Sequence, residues 1–209
     1  SSNPLRRWDI ISCSHTKTTT AAEIHRSPVW AVSEAVFKDT QGKVRGNAMM
    51  IRNARPSDYS PIISVLDAWW GGRRMSDMLP RLFFTHFCET SFVAEANSEI
   101  VGFLIGFLSQ SHSEEAYIHF VGIHPDFRKQ GVGTALYGQF FQTAQEVGRV
   151  RIKCVTSPVN KSSITYHLRM GFEAEPSETR EDGVPYHLDY DGVGEHRVLF
   201  VRHLQEITV

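Results

Sequence analysis

The order of apolar patterns between residues 91 and 157 restricts the fold of this chain more than any other feature of its sequence. Two β-type runs, "SFVAEA" and "EIVGFLIGFLSQ", meet at a short polar turn, which predicts an antiparallel hairpin. The next run, "EAYIHFVGI", is separated from "RVRIKCVTS" by a helical pattern, and two strands joined by a crossover helix lie parallel in a sheet. The sequence therefore predicts a mixed sheet with helices on its faces.

Two helices are expected between the first strand and this hairpin. The first strand, "MMIRNARP", ends at a proline, and Ser57 is the expected N-cap of the helix that follows. Apolar residues recur at helical spacing from Ile62 to Trp69, and a "GGRR" break separates this helix from a second, shorter one. The segment therefore contributes the order β-α-α.

The second half of the sequence alternates helices and strands. A long helix is expected from about residue 131 to 147, and a last helix in "NKSSITYHLRMGF" is ended by a glycine. After a polar, acidic loop from about residue 173 to 194, "EHRVLFVRHL" alternates like a final strand. The predicted fold class is α/β (α+β), a mixed central sheet flanked by helices in the order β-α-α-β-β-β-α-β-α-β.

The first 48 residues differ from the rest of the chain. They contain seven Lys and Arg against four Asp and Glu, with many Ser and Thr and little sustained periodicity. We expect residues 1–48 to form an N-terminal extension of unknown role and residues 49–209 to form one folded domain. The Ser-, Thr- and Arg-rich start also fits a transit peptide, and the alternative is an added or natural extension.

Composition and residue spacing argue against several broad classes of protein. The net charge of −1 argues against binding nucleic acid mainly through phosphate contacts, and apolar runs such as "IVGFLIGFL" are too short for a transmembrane helix. The first residues lack the apolar core of a secretory signal. The histidines lack metal-ligand spacing, and three widely spaced cysteines form neither a disulfide framework nor a zinc site: Cys13, Cys88 and Cys154. The sequence thus predicts a cytoplasmic protein with no metal and no nucleic-acid or membrane partner.

The stretch "RKQGVGT", at the start of the long helix, has the composition of a phosphate-binding turn. The first N–H groups of a helix have no intrahelical partner and lie at the positive end of its dipole. Gly131 and Gly133 would let a phosphate approach these groups, while Arg128 and Lys129 would offset its charge. The alternative is that the two glycines only permit a tight turn.

Two better-known glycine motifs do not fit this turn. A nucleoside-triphosphate P-loop needs Lys and then Ser or Thr after its last glycine, whereas Thr134 and Ala135 follow Gly133. A dinucleotide-binding turn needs a third glycine three residues further on, where this chain has Leu136. The turn therefore predicts a phosphate ligand of another kind.

The stretch "VGIHPDFRKQGVG" resembles the acetyl-CoA signature, R-x-x-G-x-G, of the GNAT (general N-acetyltransferase) superfamily. "NKSSITYHLRMGF" is similar to a second segment of that family, N-x-x-[A/S] followed by G-F, and the two segments lie in the family's order. The element order from Met49 onward also resembles the family's fold, so the resemblance covers about 160 residues. It implies an N-acetyltransferase that moves the acetyl group of acetyl-CoA directly to a primary amine.

The resemblance implies a cofactor site between two strands that splay apart. The pantetheine arm of acetyl-CoA would pair with the backbone of Val121, Gly122 and Ile123, one of whose N–H groups would polarise the thioester carbonyl. Asn160 and Ser163 would contact the cofactor from the other side. The diphosphate would lie on the N–H groups of six residues: Lys129, Gln130, Gly131, Val132, Gly133 and Thr134.

The same resemblance implies a proton donor for the departing thiolate, which in the family is often a tyrosine four residues before the glycine of the G-F pair. His167 occupies that position here and Tyr166 precedes it, so either residue is a candidate donor; the alternative for Tyr166 is packing into the core. His119 shares a predicted strand face with Val121 and is the candidate base for the acceptor amine. The alternative for His119 is a hydrogen-bonded histidine without a catalytic role.

In this family, the loop between the first two helices commonly forms part of the acceptor wall. Candidate substrate-binding residues are therefore Trp69, Trp70 and Arg73 in that loop, and Tyr117 on the strand face of His119. Adjacent tryptophans on a helix point about 100° apart, so one of the two is expected to pack in the core. The acidic loop near the end of the chain either attracts a cationic amine or is simply solvated.

A small-molecule amine is the expected acceptor and partner. The alternatives are a peptide or protein amine, at an N-terminus or a lysine, and a catalytically silent acetyl-CoA-binding module that acts as a sensor or interaction domain. Formation of a homodimer is left open by the sequence.

Overall fold

The computed structural model describes residues 49–205, together with two short strands nearer the N-terminus. These are β1 (Phe37–Lys38) and β2 (Val44–Arg45), which pair antiparallel. The expectation that residues 1–48 form an extension otherwise falls outside the described residues, as do the last four residues of the predicted domain.

A seven-stranded sheet forms the centre of residues 49–205. In chain order its strands are β3 (Met50–Asn53), β4 (Phe92–Ala96), β5 (Glu99–Leu108), β6 (Glu115–Ile123), β7 (Arg151–Thr156), β8 (Glu173–Ala174) and, after a small hairpin of β9 (Arg180–Glu181) and β10 (Val184–Pro185), β11 (Val198–His203). Their spatial order is β3-β4-β5-β6-β7-β11-β8. Neighbouring strands are antiparallel except β6 and β7, which are parallel, so the predicted mixed sheet is confirmed.

The helices in the described part of the chain follow the predicted order. They are α1 (Tyr59–Trp69), α2 (Leu82–His86), α3 (Val132–Glu146) and α4 (Lys161–Arg169). The predicted N-cap of α1 is wrong, because Ser57 lies inside a 3-10 turn and Asp58 is the N-cap residue. The Asp58 carboxylate accepts a hydrogen bond from the Arg55 backbone N–H and pairs with Arg52, which explains why this acidic residue is buried.

The sheet separates two apolar clusters. On the α3 face, side chains of α3 and α4 such as Leu136, Phe140 and Ile164 pack against the sheet. On the α1 face, side chains of α1 and α2 such as Leu66 and Phe84 pack against the opposite surface. Because apolar clusters cover both of its faces, the central strand β5 reads as a nearly continuous apolar run.

A bulge in β6 breaks the alternation of its side chains. Between two consecutive residues of β5, the ladder steps from Phe120 to Ile118, so His119 lies opposite no partner residue. Phe120 packs in the α1-face cluster, whereas Ile118 and Val121 pack in the α3-face cluster. The prediction that His119 and Val121 share a face is therefore wrong, because it assumed a regular strand.

The strands β6 and β7 separate next to this bulge. Their parallel ladder joins residues 115–117 to residues 151–153 and ends there. From Ile118 to Ile123, β6 pairs with β5 alone, so the other edge of its backbone borders a wedge-shaped cleft. The splayed strands expected from the family resemblance are thus present in the fold.

Candidate active site

The candidate site is the cleft between β6 and β7, which leads to the first turn of α3. The end of β6, Val121 to Ile123, is followed by a 3-10 turn (Pro125–Phe127) and then by α3. Because β7 has already diverged, the backbone groups on this edge of β6 can pair with an extended ligand, as an added strand would. The three residues predicted to bind pantetheine lie along this edge.

The turn before α3 contains two residues in the left-handed region. Gly131 is the N-cap residue with φ 85°, and Lys129 has φ 62°. A Cβ on Gly131 would meet nothing within 4 Å, so its conformation and not the space around it requires glycine. The Ala135 backbone N–H donates to the carbonyl of Gly131, and the N–H groups of the three residues before Ala135 can therefore bind an anion.

Gly133 is a glycine for a different reason. A Cβ there would lie 2.4 Å from the hydroxyl oxygen of Tyr166, so the glycine admits this side chain from α4 against the first turn of α3. The hydroxyl is buried and makes no hydrogen bond of standard geometry among the described residues, although the Thr134 side chain lies close to it. Burial raises the pKa of Tyr166, and the nearby Thr134 side chain opposes that rise. The phenol therefore keeps its proton at neutral pH and has a hydrogen bond to donate.

Arg128 does not extend toward the N-terminus of α3. Its Nη2 donates to the carbonyl of Trp69 at 2.5 Å, and its Nε donates to the carbonyl of Ile123 at 3.3 Å. Its guanidinium thus joins the end of β6 to the end of α1, and the predicted role of Arg128 in offsetting phosphate charge stays a prediction. The sequence carried no signal for this contact, because the two residues lie 59 positions apart.

Gln130 also stabilises the conformation of the turn. Its side-chain amide donates to the carbonyl of Asp126 at 2.5 Å. Two residues of this turn thus use their side chains to hold its shape, which leaves the backbone N–H groups for a ligand. Lys129, in contrast, is an exposed cation on the same turn.

Asn160 is the N-cap of α4. Its Oδ1 accepts hydrogen bonds from the Ser163 backbone N–H at 3.2 Å and from the Ser162 hydroxyl at 3.0 Å. This capping role explains why an asparagine precedes the helix, and contacts of Asn160 and Ser163 with a cofactor stay a prediction.

His167 lies in the core on the α3 face. Its ring is 7% exposed and stacks on Phe200 with centroids 5.0 Å apart. The Nδ1–H group donates to the carbonyl of Ser163 at 2.8 Å, so Nε2 accepts from the Tyr137 hydroxyl at 3.0 Å. Burial lowers the pKa of His167 more than the bond to Ser163 raises it. The neutral ring has both nitrogens in use inside the core, which argues against the predicted role of His167 as a proton donor, and that role stays a prediction.

His119 has a different environment on the α1 face. Its ring stacks on Phe83 with centroids 4.2 Å apart, and Nε2 lies 2.8 Å from the carbonyl of Met78. Because a carbonyl only accepts, Nε2 carries the hydrogen and the neutral ring has its lone pair on Nδ1, which contacts no described partner. Burial lowers the pKa of His119, and the bond to Met78 opposes that change. The ring is therefore neutral at pH 7 with a nitrogen able to accept a proton.

The two adjacent tryptophans have different surroundings, as their helical spacing predicts. Trp69 is 6% exposed and packs between Phe103 and His124, with centroid distances of 6.2 and 5.3 Å. Trp69 is thus the packed member of the pair, and its predicted role in substrate binding stays a prediction. Trp70 is half-buried and contacts Phe120, 5.4 Å away, next to the bulge of β6.

Tyr117 lies on the α1 face beside the loop that precedes β11. Its ring stacks on Phe107 with centroids 5.3 Å apart. Burial raises the pKa of Tyr117, with smaller contributions from Cys154, Tyr190 and Asp191. Arg73, the other predicted acceptor residue, is exposed in the loop after α1.

The acidic loop between α4 and β11 holds many of its carboxylates in ion pairs. These pairs are Arg197 with Asp191 and Glu195, Lys161 with Glu181 and Asp182, and Lys153 with Glu175. The pairing reduces the negative field that the sequence suggested for this loop.

No group of His, Cys, Asp and Glu side chains that could hold a metal ion occurs within the described ranges. Over the same ranges, the helices are too short or too polar to cross a membrane.

Comparisons with known proteins agree with this geometry. The sequence profile of the acetyltransferase (GNAT) family matches residues 56–172, more than half of the chain. An N-acetyltransferase of Methanocaldococcus jannaschii is 36% identical over 86 residues, which are 39% of this chain and 38% of that protein. L-2,4-Diaminobutyric acid acetyltransferase of Nocardia farcinica is 31% identical over 83 residues, 40% of this chain and 43% of that protein. The chain thus spans about two fifths of these relatives' own lengths.

Solved structures show the same fold. The structure of an acetyltransferase from Salmonella typhimurium with its cofactor acetyl-CoA has a TM-score of 0.55 at 19% identity. The alignment covers 78% of this chain and 98% of that one. At this identity, the likeness concerns the arrangement of the sheet and helices.

Proposed function

The chain belongs to the GNAT acetyltransferase family, and from that membership we propose that it moves the acetyl group of acetyl-CoA directly to the amine of a small molecule. The observation that carries this proposal is the unpaired edge of β6, which leads straight into the left-handed turn of α3. An extended amide-containing arm fits the first feature and a diphosphate fits the second.

The residues of the cleft fit acetyl-CoA in three respects. The N–H groups of residues 129–134, before the first intrahelical bond of α3, would hold its diphosphate. The edge of β6 from Val121 to Ile123 would pair with its pantetheine arm. Lys129 adds an exposed positive charge close to the turn. When bound there, acetyl-CoA supplies an acetyl group already activated as a thioester.

His119 is the proposed base. It is neutral, its Nδ1 is unused, and the Met78 carbonyl and the Phe83 ring fix its orientation. An ammonium ion must lose a proton before its nitrogen can form a bond, and Nδ1 of His119 can take that proton directly or through water. The bulge places this ring on the α1 face, the side on which the loop after α1 lies.

Tyr166 is the better-supported of the two candidate donors on the cofactor side. Its hydroxyl is protonated and lacks a described partner, whereas both ring nitrogens of His167 are used. The hydroxyl lies against the first turn of α3. We therefore assign Tyr166 a hydrogen bond to the cofactor.

A small amine is the proposed acceptor because aromatic side chains dominate the α1 face around His119. Trp70 packs on Phe120, Phe83 stacks on His119 and Tyr117 stacks on Phe107. Aliphatic and cationic groups pack well against such rings. The relative from Nocardia farcinica is named for L-2,4-diaminobutyric acid, a small diamine with a carboxylate. Diamino acids are therefore the first acceptors to test.

The test is release of free CoA thiol from acetyl-CoA in the presence of single amines. The set contains L-2,4-diaminobutyric acid, monoamines without a carboxylate, and a peptide with a free N-terminus and a lysine. We expect thiol release that depends on both enzyme and a small amine, with the acetylated amine identified by mass. Turnover of the peptide alone would overturn the small-molecule assignment.

A second candidate is an acetyl-CoA-binding module without catalysis. The placement of His167 in the core favours it, because the family's frequent donor position then faces no substrate. Thermal stabilisation by acetyl-CoA without turnover of any amine would support this candidate, and turnover of one amine would exclude it.

A further inference from the structure

The side chain and the backbone of Arg128 serve two different parts of the molecule. The backbone belongs to the turn that begins at His124 and reaches the N-cap of α3 at Gly131. The side chain points back, and its Nη2 donates to the carbonyl of Trp69. Arg128 therefore connects the turn proposed to hold the diphosphate with the last residue of α1.

The carbonyl of Trp69 is a favourable acceptor for this guanidinium. Trp69 ends α1, so its carbonyl is one of the groups that have no intrahelical partner and lie at the negative end of the helix dipole. The second bond, from Nε to the carbonyl of Ile123, fixes the guanidinium to the end of β6. Three segments thus meet at one side chain: α1, β6 and the turn before α3.

Aromatic contacts join the same segments. The ring of His124 packs edge-on against Trp69 at 5.3 Å and against Phe127 at 5.6 Å. His124 is itself held by accepting a hydrogen bond from the backbone N–H of Asp126. Packing as well as hydrogen bonds therefore connects the turn to the end of α1.

The end of α1 leads into the loop on the acceptor side. Trp70 follows Trp69 and contacts Phe120 at the bulge, and two glycines with positive φ, Gly71 and Gly72, come next. The far end of this loop is fixed by Asp67, whose carboxylate accepts from the backbone N–H groups of Met75 and Ser76. The exposed residues Gly71, Gly72 and Arg73 between these points donate backbone hydrogen bonds to carbonyls at the end of α1, so their position depends on that end.

We infer that Arg128 is a positioning residue that couples the cofactor turn to the acceptor-side loop, instead of a ligand of the cofactor's phosphates. When an anion immobilises the N–H groups of the turn, Arg128 immobilises the end of α1 and with it Trp70. The acceptor surface is thereby ordered by the bound cofactor. This inference rests on the proposed function in placing the diphosphate on the turn and the acceptor on the α1 face.

Amide hydrogen exchange of the full chain with and without CoA tests the coupling without any acceptor. In the wild type, CoA should slow exchange in the turn, residues 128–135, and also in residues 69–78. In Arg128→Gln, the turn should still be protected, whereas the protection of residues 69–78 should fall by about fivefold, the effect of one hydrogen bond. The Kd for CoA should change by less than about twofold.

Three further variants separate coupling from charge and from folding. Lys129→Gln removes the neighbouring cation of the same turn, and it should weaken CoA binding while the protection of residues 69–78 by saturating CoA is kept. Arg180→Gln removes another exposed arginine that donates to a carbonyl, that of Gly183, and should change neither quantity. Arg128→Lys keeps the charge and can reach one carbonyl, so it should restore part of the protection and serves if Arg128→Gln does not fold.

The inference is overturned by any of three results. A rise of tenfold or more in the Kd for CoA in Arg128→Gln, on the order of one lost charge-assisted contact, would make Arg128 a phosphate ligand. Equal protection of residues 69–78 in Arg128→Gln and wild type would show that the coupling does not pass through this side chain. Protection confined to the turn in the wild type would show that no coupling exists. Failure of the wild type to bind CoA at all is a separate outcome, which contradicts the proposed function.

Discussion

The two faces of the sheet hold their buried histidines in opposite ways. On the α3 face, His167 has both ring nitrogens in hydrogen bonds and packs against Phe200. On the α1 face, His119 uses one nitrogen, for Met78, and keeps the other available. Burial lowers the pKa of both rings. Low basicity and burial are thus shared, and the unused nitrogen is what distinguishes a histidine able to transfer a proton.

The backbone explains the difference. His167 lies within α4, where a side chain four residues after Ser163 stacks over the preceding turn and finds its carbonyl. His119 is the extra residue of a bulge, which turns its side chain away from the regular alternation and toward α2. The bulge coincides with the point at which β6 and β7 separate, so one local irregularity opens the cleft and directs the histidine.

Substitution of His119 should have the largest effect, a loss of catalysis, and it tests the comparison of the two histidines. His119→Gln removes the proposed base while keeping an amide that can donate to the carbonyl of Met78. We expect kcat to fall by about 100- to 10,000-fold, the range for loss of a general base, with little change in the Kd for acetyl-CoA. Thiol release under saturating acetyl-CoA measures the rate, and thermal stabilisation by acetyl-CoA measures binding.

The dependence of kcat/KM on pH is an independent test of the proposed role of His119 as a base. Because the pKa of His119 is lowered from 6.5, kcat/KM of the wild type should fall only at pH values below 6.5. His119→Gln should lose this acidic limb. His112→Gln, at an exposed position between β5 and β6, is the matched control and should keep both rate and profile. An unchanged rate in His119→Gln would remove the distinction between the two faces.

The second largest effect is on stability at His167. His167→Ala leaves a cavity beside Phe200 and deprives the Tyr137 hydroxyl and the Ser163 carbonyl of a partner. The free energy of unfolding should fall by about 2–4 kcal/mol, measured by urea denaturation. At a temperature where the variant is folded, kcat should stay within about threefold of the wild type. A loss of kcat as large as that of His119→Gln would instead return the proton-donor role to His167.

Much of the fold could be predicted because its determinants are local. Short stretches of sequence predict the hairpin of β4 and β5, the crossover through α3 and the glycines that follow α3 and α4. The N-cap of α1 was missed because Arg52, on the preceding strand, binds Asp58 and makes it the buried cap residue. A contact between two elements thus determines where α1 begins, and the spacing of apolar residues contains no information about such contacts.

The sequence predicts where the candidate site lies better than it predicts how each side chain is oriented there. The turn before α3 lies where its glycines indicated, because Gly131 needs a left-handed conformation that sequence signals directly. The orientations of Arg128, His167 and His119 depend on Trp69, Tyr137 and Phe83, which are distant in sequence. A bulge has no reliable signature in a single sequence, so the regular alternation assumed for β6 put His119 beside Val121.

A smaller effect separates the two candidate donors on the α3 face. Tyr166→Phe removes a hydroxyl that has no described protein partner, so the folded state should lose little stability. If the hydroxyl donates to the cofactor at the first turn of α3, the Kd for acetyl-CoA should rise by about five- to tenfold, the value of one hydrogen bond. Acetyl-pantetheine, which lacks the diphosphate, should bind wild type and variant equally.

The contrary outcome for Tyr166 is equally measurable. A kcat that falls in Tyr166→Phe with acetyl-pantetheine as well as with acetyl-CoA would place the hydroxyl at the departing thiolate. Equal affinities and rates in wild type and variant would leave Tyr166 a packing residue, and the α3 face would then contribute only backbone groups and Lys129.

The smallest effect compares the two histidines by their influence on stability at different pH values. The folded-state pKa of each lies below 6.5, so the unfolded chain binds more protons as the pH falls through that value, and the stability present at pH 7 and above is progressively lost. For the nearly inaccessible His167 the slope is at most about 1.4 kcal/mol per pH unit. His167→Gln should remove this slope between pH 5 and 6.5 in urea denaturation, and His119→Gln should remove a smaller part of it because His119 is more exposed. Equal slopes in His167→Gln and wild type would mean that His167 is protonated in the folded protein, with Tyr137 then accepting its hydrogen bond. His167 would in that case have a proton to donate on the α3 face.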